Sequence, residues 1–151
     1  NLTSGSSGFV RFALKNPATA VVYSITSAND EPGRDPAGWM LQGSDDGEEW
    51  VTLDTREGIS FSERYQTRSF AIAKSTQASY LWYQLVITSN QGASLMQYAD
   101  LDIYASGENT PNGEAVQKPS NILCHLFLEP FHYKHLHCKY VKYYILLFEF
   151  Q

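Results

Sequence analysis

Residues 23–54 read YSITSANDEPGRDPAGWMLQGSDDGEEWVTLD. The order is strand, long polar loop, strand, tight turn, strand. Tyr23 to Ser27 is a β-prone run with alternating character, and Asn29 to Pro36 is loop chemistry stiffened by Pro32 and Pro36. Trp39-Met40-Leu41 opens a second strand. Ser44-Asp45-Asp46-Gly47 predicts a tight hairpin turn, because glycine accepts the positive φ that such turns require. Trp50-Val51-Thr52-Leu53 then runs back. A rigid hairpin with a charged, proline-stiffened loop at one end is a common way of displaying binding residues.

The same patterning extends in both directions. Val10, Phe12 and Leu14 fall on one face of the run Gly8 to Leu14, and Phe9 and Arg11 on the other. A turn at Asn16-Pro17 is expected to separate this strand from the next, Ala20 to Ser27. Further strands are expected at Met40–Gly43, Trp50–Asp54, Tyr65–Ala73, Tyr80–Thr88 and Leu101–Ala105. Apolar residues recur with period 2, and no convincing amphipathic helix intervenes, so the class is all-β, a sandwich of two packed antiparallel sheets. Trp39, Trp50, Phe70, Leu85 and Ile103 are expected in its core.

The composition is uneven. The 151 residues carry a net charge of −5, which argues against a nucleic-acid partner. No uninterrupted apolar run is long enough to predict a membrane-spanning helix. Residues 1–116 hold 7 Lys+Arg, 14 Asp+Glu and no cysteine or histidine. Residues 117–151 hold both cysteines and all four histidines, in an apolar, aromatic stretch without a consistent period. The expected organisation is a domain over 1–105, a linker over 106–120, and a tail over 121–151 outside the fold. Within the tail, Tyr143 to Phe150 is β-prone and nearly uncharged, which predicts aggregation.

The order and spacing of several motifs carry a family resemblance. They are Ser27-Ala28-Asn29-Asp30 through Arg34-Asp35-Pro36, Trp39, Gly43-Ser44-Asp45-Asp46-Gly47, Trp50 and Leu53. Phe70, Leu81-Trp82-Tyr83-Gln84-Leu85 and Tyr98 to Tyr104 continue the series. Together, over residues 8–105, they resemble the discoidin (coagulation-factor C-type), galactose-binding-like domains. The resemblance implies a jelly-roll β-sandwich that binds ligands through loops at one end. The segment with which such domains open has no match here, so the jelly roll is expected to be incomplete at its N-terminus. Domains of this kind often ride on glycan-processing enzymes, and the loop wording is similar to the C-terminal domain of plant-type peptide:N-glycanases. The implied function is a carbohydrate- or glycoprotein-binding module within a larger chain. The alternative is a protein-interaction or structural sandwich with no sugar site.

Asn29, Asp30, Arg34 and Asp35 are the first candidate ligand residues, because amide, carboxylate and guanidinium groups match the donors and acceptors of sugar hydroxyls. The same residues also read as a brace, with Arg34 paired to Asp30 or Asp35. Asn90 and Gln91 open a second apical loop, either ligand-binding or a plain solvated turn. Trp39 and Trp50 are better read as core than as sugar platforms. Ala99-Asp100 matches a position where related domains offer oxygens to a structural calcium. Calcium needs six to eight such ligands, and the other donors of the family lie in the unmatched segment, so no cofactor is expected. The tail residues Cys124, His125, His132, His135, His137 and Cys138 have spacings that fit no standard zinc site, and Asn1-Leu2-Thr3 is a glycosylation acceptor pattern.

Catalysis is not expected. With no histidine before residue 125, the folded segment cannot assemble a Ser-His-Asp or Cys-His arrangement. Asp30 and Asp35 lack the apolar surroundings that raise a carboxyl pKa for acid duty in glycoside hydrolysis. A cysteine-free domain is compatible with the cytosol, and an extracellular location stays open.

Overall fold

The structure is a computed structural model and describes residues 7–106, 108–109 and 115–116. The strands are β1 (Gly8–Thr26), β2 (Pro36–Ser44), β3 (Val51–Arg56), β4 (Thr67–Ala71), β5 (Ser79–Asn90) and β6 (Asp100–Ala105). The pairs β7 (Glu108–Asn109) and β8 (Ala115–Val116) form a short antiparallel ladder inside the stretch expected as a linker. The tail motifs, including its cysteines and histidines, and the Asn1 acceptor pattern lie outside the described residues. The only helical element among the described residues is a 3-10 turn over Pro32–Arg34.

All pairings are antiparallel, and the strand order is β3-β2-β5-β1-β4, with β6 also paired to β1. The first half of β1 pairs with β5, from Gly8↔Ile87 to Ala13↔Trp82. Its second half runs between β4 and β6, where Tyr23 faces Phe70 on one side and Ile103 on the other. One strand therefore belongs to both halves of a curled sheet, and the sandwich closes around it. The chain is thus all-β, a curled antiparallel sandwich.

The turn expected at Asn16-Pro17 is absent, because β1 continues through it. From Ala13 to Ala18 the strand advances five residues while β5 recedes two, from Trp82 to Tyr80. The surplus is a bulge, which bends the strand and tolerates a proline that has no N–H to offer. Tyr83 holds this corner: its hydroxyl donates to the Ala18 carbonyl (2.5 Å) and accepts from the Ala20 N–H (3.1 Å). Burial pushes the Tyr83 phenol up to about 12.

The inner face follows the expected alternation. Tyr83, Leu85 and Ile87 of β5, Trp39 and Leu41 of β2, and Tyr23 and Ile25 of β1 are buried. The Phe70 ring meets Trp39 edge-on at 5.1 Å and stacks on Tyr23 at 5.3 Å. The Trp39 indole donates to the Tyr23 hydroxyl (2.8 Å), which donates to Asp54 (2.5 Å), and Arg56 closes the chain onto Asp54 (2.7 Å). Burial, then the bond to Asp54, drives the Tyr23 phenol well above its usual range.

Two residues expected in the core are elsewhere. Ile103 is only half-buried at its margin. Trp50 is half-buried outside it, with its ring 4.8 Å from the Arg11 guanidinium, which lies equally close to Phe9. The reason is the β2–β3 connection. Instead of a tight Asp-Gly turn it is a loop over residues 45–50, folded back on the outer face of the sheet. Gly47, at φ 79°, sits against the Trp82 ring. The Asp46 carboxylate organises this loop by accepting from the N–H groups of Glu48 (2.8 Å) and Glu49 (2.9 Å).

Candidate functional site

Strand direction gathers three crossings at one end of the sandwich. Thr26 ends β1, Pro36 starts β2, Arg56 ends β3, Thr67 starts β4, Asn90 ends β5 and Asp100 starts β6. The connections 27–35, 57–66 and 91–99 therefore share that end. The 45–50 loop and the β1 corner are at the other.

Backbone bonds knit the three loops together. Ser27 and Gln66 exchange bonds, Ser27 N to Gln66 O and Gln66 N to Ser27 Oγ, both 2.9 Å. Tyr65 N donates to Ala28 O (3.3 Å), Ala93 N to Gly33 O (3.0 Å) and Gln97 N to Arg34 O (2.9 Å). Within the first loop, Glu31 caps the 3-10 turn by accepting from Gly33 N (3.2 Å).

The candidate residues separate into two groups. Asp35 is buried, 1% exposed, and its carboxylate is held by both terminal nitrogens of Arg64. That bond, and then the attraction of Asp35, Asp30 and Glu31, stabilises the charged guanidinium of Arg64. Asp35 is thus committed to the fold, and its partner is Arg64 rather than Arg34. Asn90 is also committed: its amide donates to the carbonyls of Ala93 (2.9 Å) and Leu95 (2.6 Å), and its oxygen accepts from Gly92 N (3.0 Å). Gln91 donates its side-chain amide to Ile59 O (2.5 Å). Asp100 lies at the start of β6, where its Oδ1 accepts from the Leu101 N–H (3.0 Å). Among the described residues, no three His, Cys, Asp or Glu side chains converge to hold a metal.

Asn29, Asp30 and Arg34 are displayed. The side chain of Asn29 is exposed and has no bonding partner among the described residues. Arg34 is 30% exposed and Asp30 52%, and the two pair at 3.4 Å. Arg34 also donates to the buried Gln97 Oε1 at 3.2 Å. Both bonds use Nη1, which leaves the Nε–Nη2 edge of the guanidinium, a parallel pair of donors, unengaged by any described residue.

Sequence reasoning missed three members of this end. Arg64 was not singled out, nor was Gln97. Tyr65 was assigned to a strand, whereas β4 begins two residues later. Tyr65 is the one described non-glycine residue at positive φ, 57°, and the residue is 64% exposed. A bulky residue in the left-handed region costs about 1–2 kcal/mol and persists only where its surroundings enforce it. The enforcement is visible: Arg64 on one side is locked to Asp35, Gln66 on the other is locked to Ser27, and the Tyr65 N–H is tied to Ala28. No local pattern in the sequence signals this conformation.

No family model matches the chain. Over 89 residues it is 36% identical to a peptide-N(4)-(N-acetyl-beta-glucosaminyl)asparagine amidase of Arabidopsis thaliana. The matched part is 57% of this chain but spans only 12% of that enzyme's length. In structure the chain is similar to the family 32 carbohydrate-binding module of Streptococcus pneumoniae EndoD, with a TM-score of 0.52 at 16% identity, covering 66% of this chain and 70% of that one. It is likewise similar to an F5/8 type C domain from Bacteroides fragilis, with a TM-score of 0.54 at 16% identity, covering 66% and 65%. These likenesses establish the galactose-binding-like fold.

Proposed function

We propose that this chain is a non-catalytic carbohydrate-binding module of a larger protein, and that it takes glycan at the loop end carrying Asn29, Asp30, Arg34 and Tyr65. The observation that carries the proposal is the unengaged Nε–Nη2 edge of Arg34, fixed by Asp30 and Gln97 through Nη1. Two coplanar donors beside a carboxylate acceptor match adjacent sugar hydroxyls, each of which can accept from one group and donate to another. The exposed Tyr65 ring supplies an apolar face for the sugar's C–H groups, so one rim offers both polar and apolar recognition. The likeness to a carbohydrate-binding module supports the reading. The likeness to an amidase named for a glucosaminyl-asparagine substrate favours a glycoprotein as the partner and a glycan-processing enzyme as the parent.

A non-catalytic role fits the side chains. The described residues contain no histidine. Asp35, one of the two carboxylates available to imagine as an acid–base pair, is locked by Arg64 and shielded from any substrate. The reading needs no cofactor.

Amide shift mapping during a glycan titration tests the placement. Shifts are expected to cluster at Asn29, Asp30, Gly33, Arg34, Tyr65 and Gln97. Shifts centred on the 45–50 loop and Trp50 instead would move the site to the opposite end.

A further inference from the structure

We propose that the loop site selects uncharged sugars and rejects those bearing a carboxylate or sulfate. The inference rests on the glycan-binding reading and adds the class of ligand. An unengaged guanidinium edge suits a carboxylate as well as it suits two hydroxyls, so Arg34 alone does not decide between them. Its surroundings do. Asp30 lies 3.4 Å from Arg34 with its carboxylate half in solvent, and it demands a donor from any ligand seated there. A hydroxyl can donate; a carboxylate or sulfate cannot.

The charge balance points the same way. The second guanidinium nearby, Arg64, is occupied by the buried Asp35 and gives an anionic ligand nothing further. Glu31 follows Asp30 on the first loop and is exposed. Glu63 is exposed on the facing loop, whose backbone is held to the first by the bond from Ser27 Oγ to Glu63 O (2.9 Å). The three loops thus carry two guanidiniums, Arg34 and Arg64, against five carboxylates, Asp30, Glu31, Asp35, Glu57 and Glu63, and a third guanidinium, Arg68, reaches the second loop through the Ser60 carbonyl (2.6 Å). The excess negative charge repels an anion and leaves a neutral sugar unaffected.

The test uses the full chain and a panel of methyl glycosides of galactose, glucose, mannose and N-acetylglucosamine, with the C6 uronic acids of the three hexoses, followed by NMR at low ionic strength. A uronide is expected to bind at least about tenfold more weakly than its neutral parent, the scale of one like-charge contact near a protein surface. The gap should narrow in high salt. It should also narrow in the double variant Glu31→Gln, Glu63→Gln, in which the amide oxygen at position 31 can still cap Gly33. Equal or tighter binding of a uronide overturns the selectivity and leaves glycan binding standing. So does a gap that neither salt nor the double variant changes, since the discrimination then has another origin. Binding of neither class, by a protein that melts cooperatively, overturns the glycan reading itself.

Discussion

The two terminal nitrogens of Arg64 hold the buried carboxylate of Asp35, and through that pair the 57–66 loop is fastened to the loop that displays Asn29, Asp30 and Arg34. The pair is lopsided, because Asp35 is sealed from water while the Arg64 side chain is 24% exposed. Removing the arginine leaves a carboxylate buried and uncompensated, whereas removing the charge on Asp35 leaves a guanidinium that can turn to solvent. Arg64→Met is therefore expected to cost about 3 kcal/mol, and Asp35→Asn about 1–2 kcal/mol. Urea unfolding of both variants measures the difference. Equal losses would show that burial of Asp35 does not govern the pair.

Tyr65 separates stability from binding. Glycine relieves the left-handed strain but adds freedom to the unfolded chain, so Tyr65→Gly is expected to change stability by no more than about 1 kcal/mol, in the stabilising direction. It should weaken glycan binding by roughly tenfold, on the scale of a lost aromatic face. Tyr65→Phe keeps the face and should keep the affinity. Thermal melts and titrations read both effects, and a Tyr65→Gly protein that binds normally would remove the ring from the site.

The corner of β1 contributes to the alkaline limit, alongside the more strongly raised phenols of Tyr23 and Tyr98. The Tyr83 phenol is raised from 10 to about 12, first by burial. Between those values the unfolded chain releases its proton and the folded one keeps it, so the unfolded state is favoured as pH rises. Stability is expected to be level below pH 10 and to fall from there towards 12. Tyr83→Phe should flatten part of that fall, while costing about 2 kcal/mol at neutral pH because the Ala20 N–H loses its partner. An identical alkaline profile in the variant would contradict this assignment.

The strands were legible in the sequence because period-2 alternation reports directly on which face is buried, and Tyr83, Leu85 and Ile87 follow it. The features that escaped depend on contacts between distant residues. The bulge at Asn16-Pro17 looks like a turn until Tyr83 is seen bridging Ala18 and Ala20 from across the sheet. Trp50 reads as core because a strand alternates, yet its preceding loop folds outward and lays it on Arg11. At the candidate site, Asn29, Asp30 and Arg34 stood out by residue type alone. Composition could not tell that Asp35 is claimed by Arg64, which is 29 residues away. Nor could it reveal that the ties of its neighbours hold Tyr65 in the left-handed region.

The most direct test of the central claim is a calorimetric titration of the wild-type chain and of Arg34→Ala with neutral glycans, with thermal melting of both. Wild-type affinity is expected on the order of 0.1–1 mM, since a shallow polar site loses in desolvation much of what it gains. Binding lost in Arg34→Ala with a melting temperature within about 2 °C of wild type is the predicted result. A lowered melting temperature, with no glycan bound by either protein, would contradict the account. Arg34 would then be a brace between Asp30 and Gln97, and the loop end a structural or protein-binding surface.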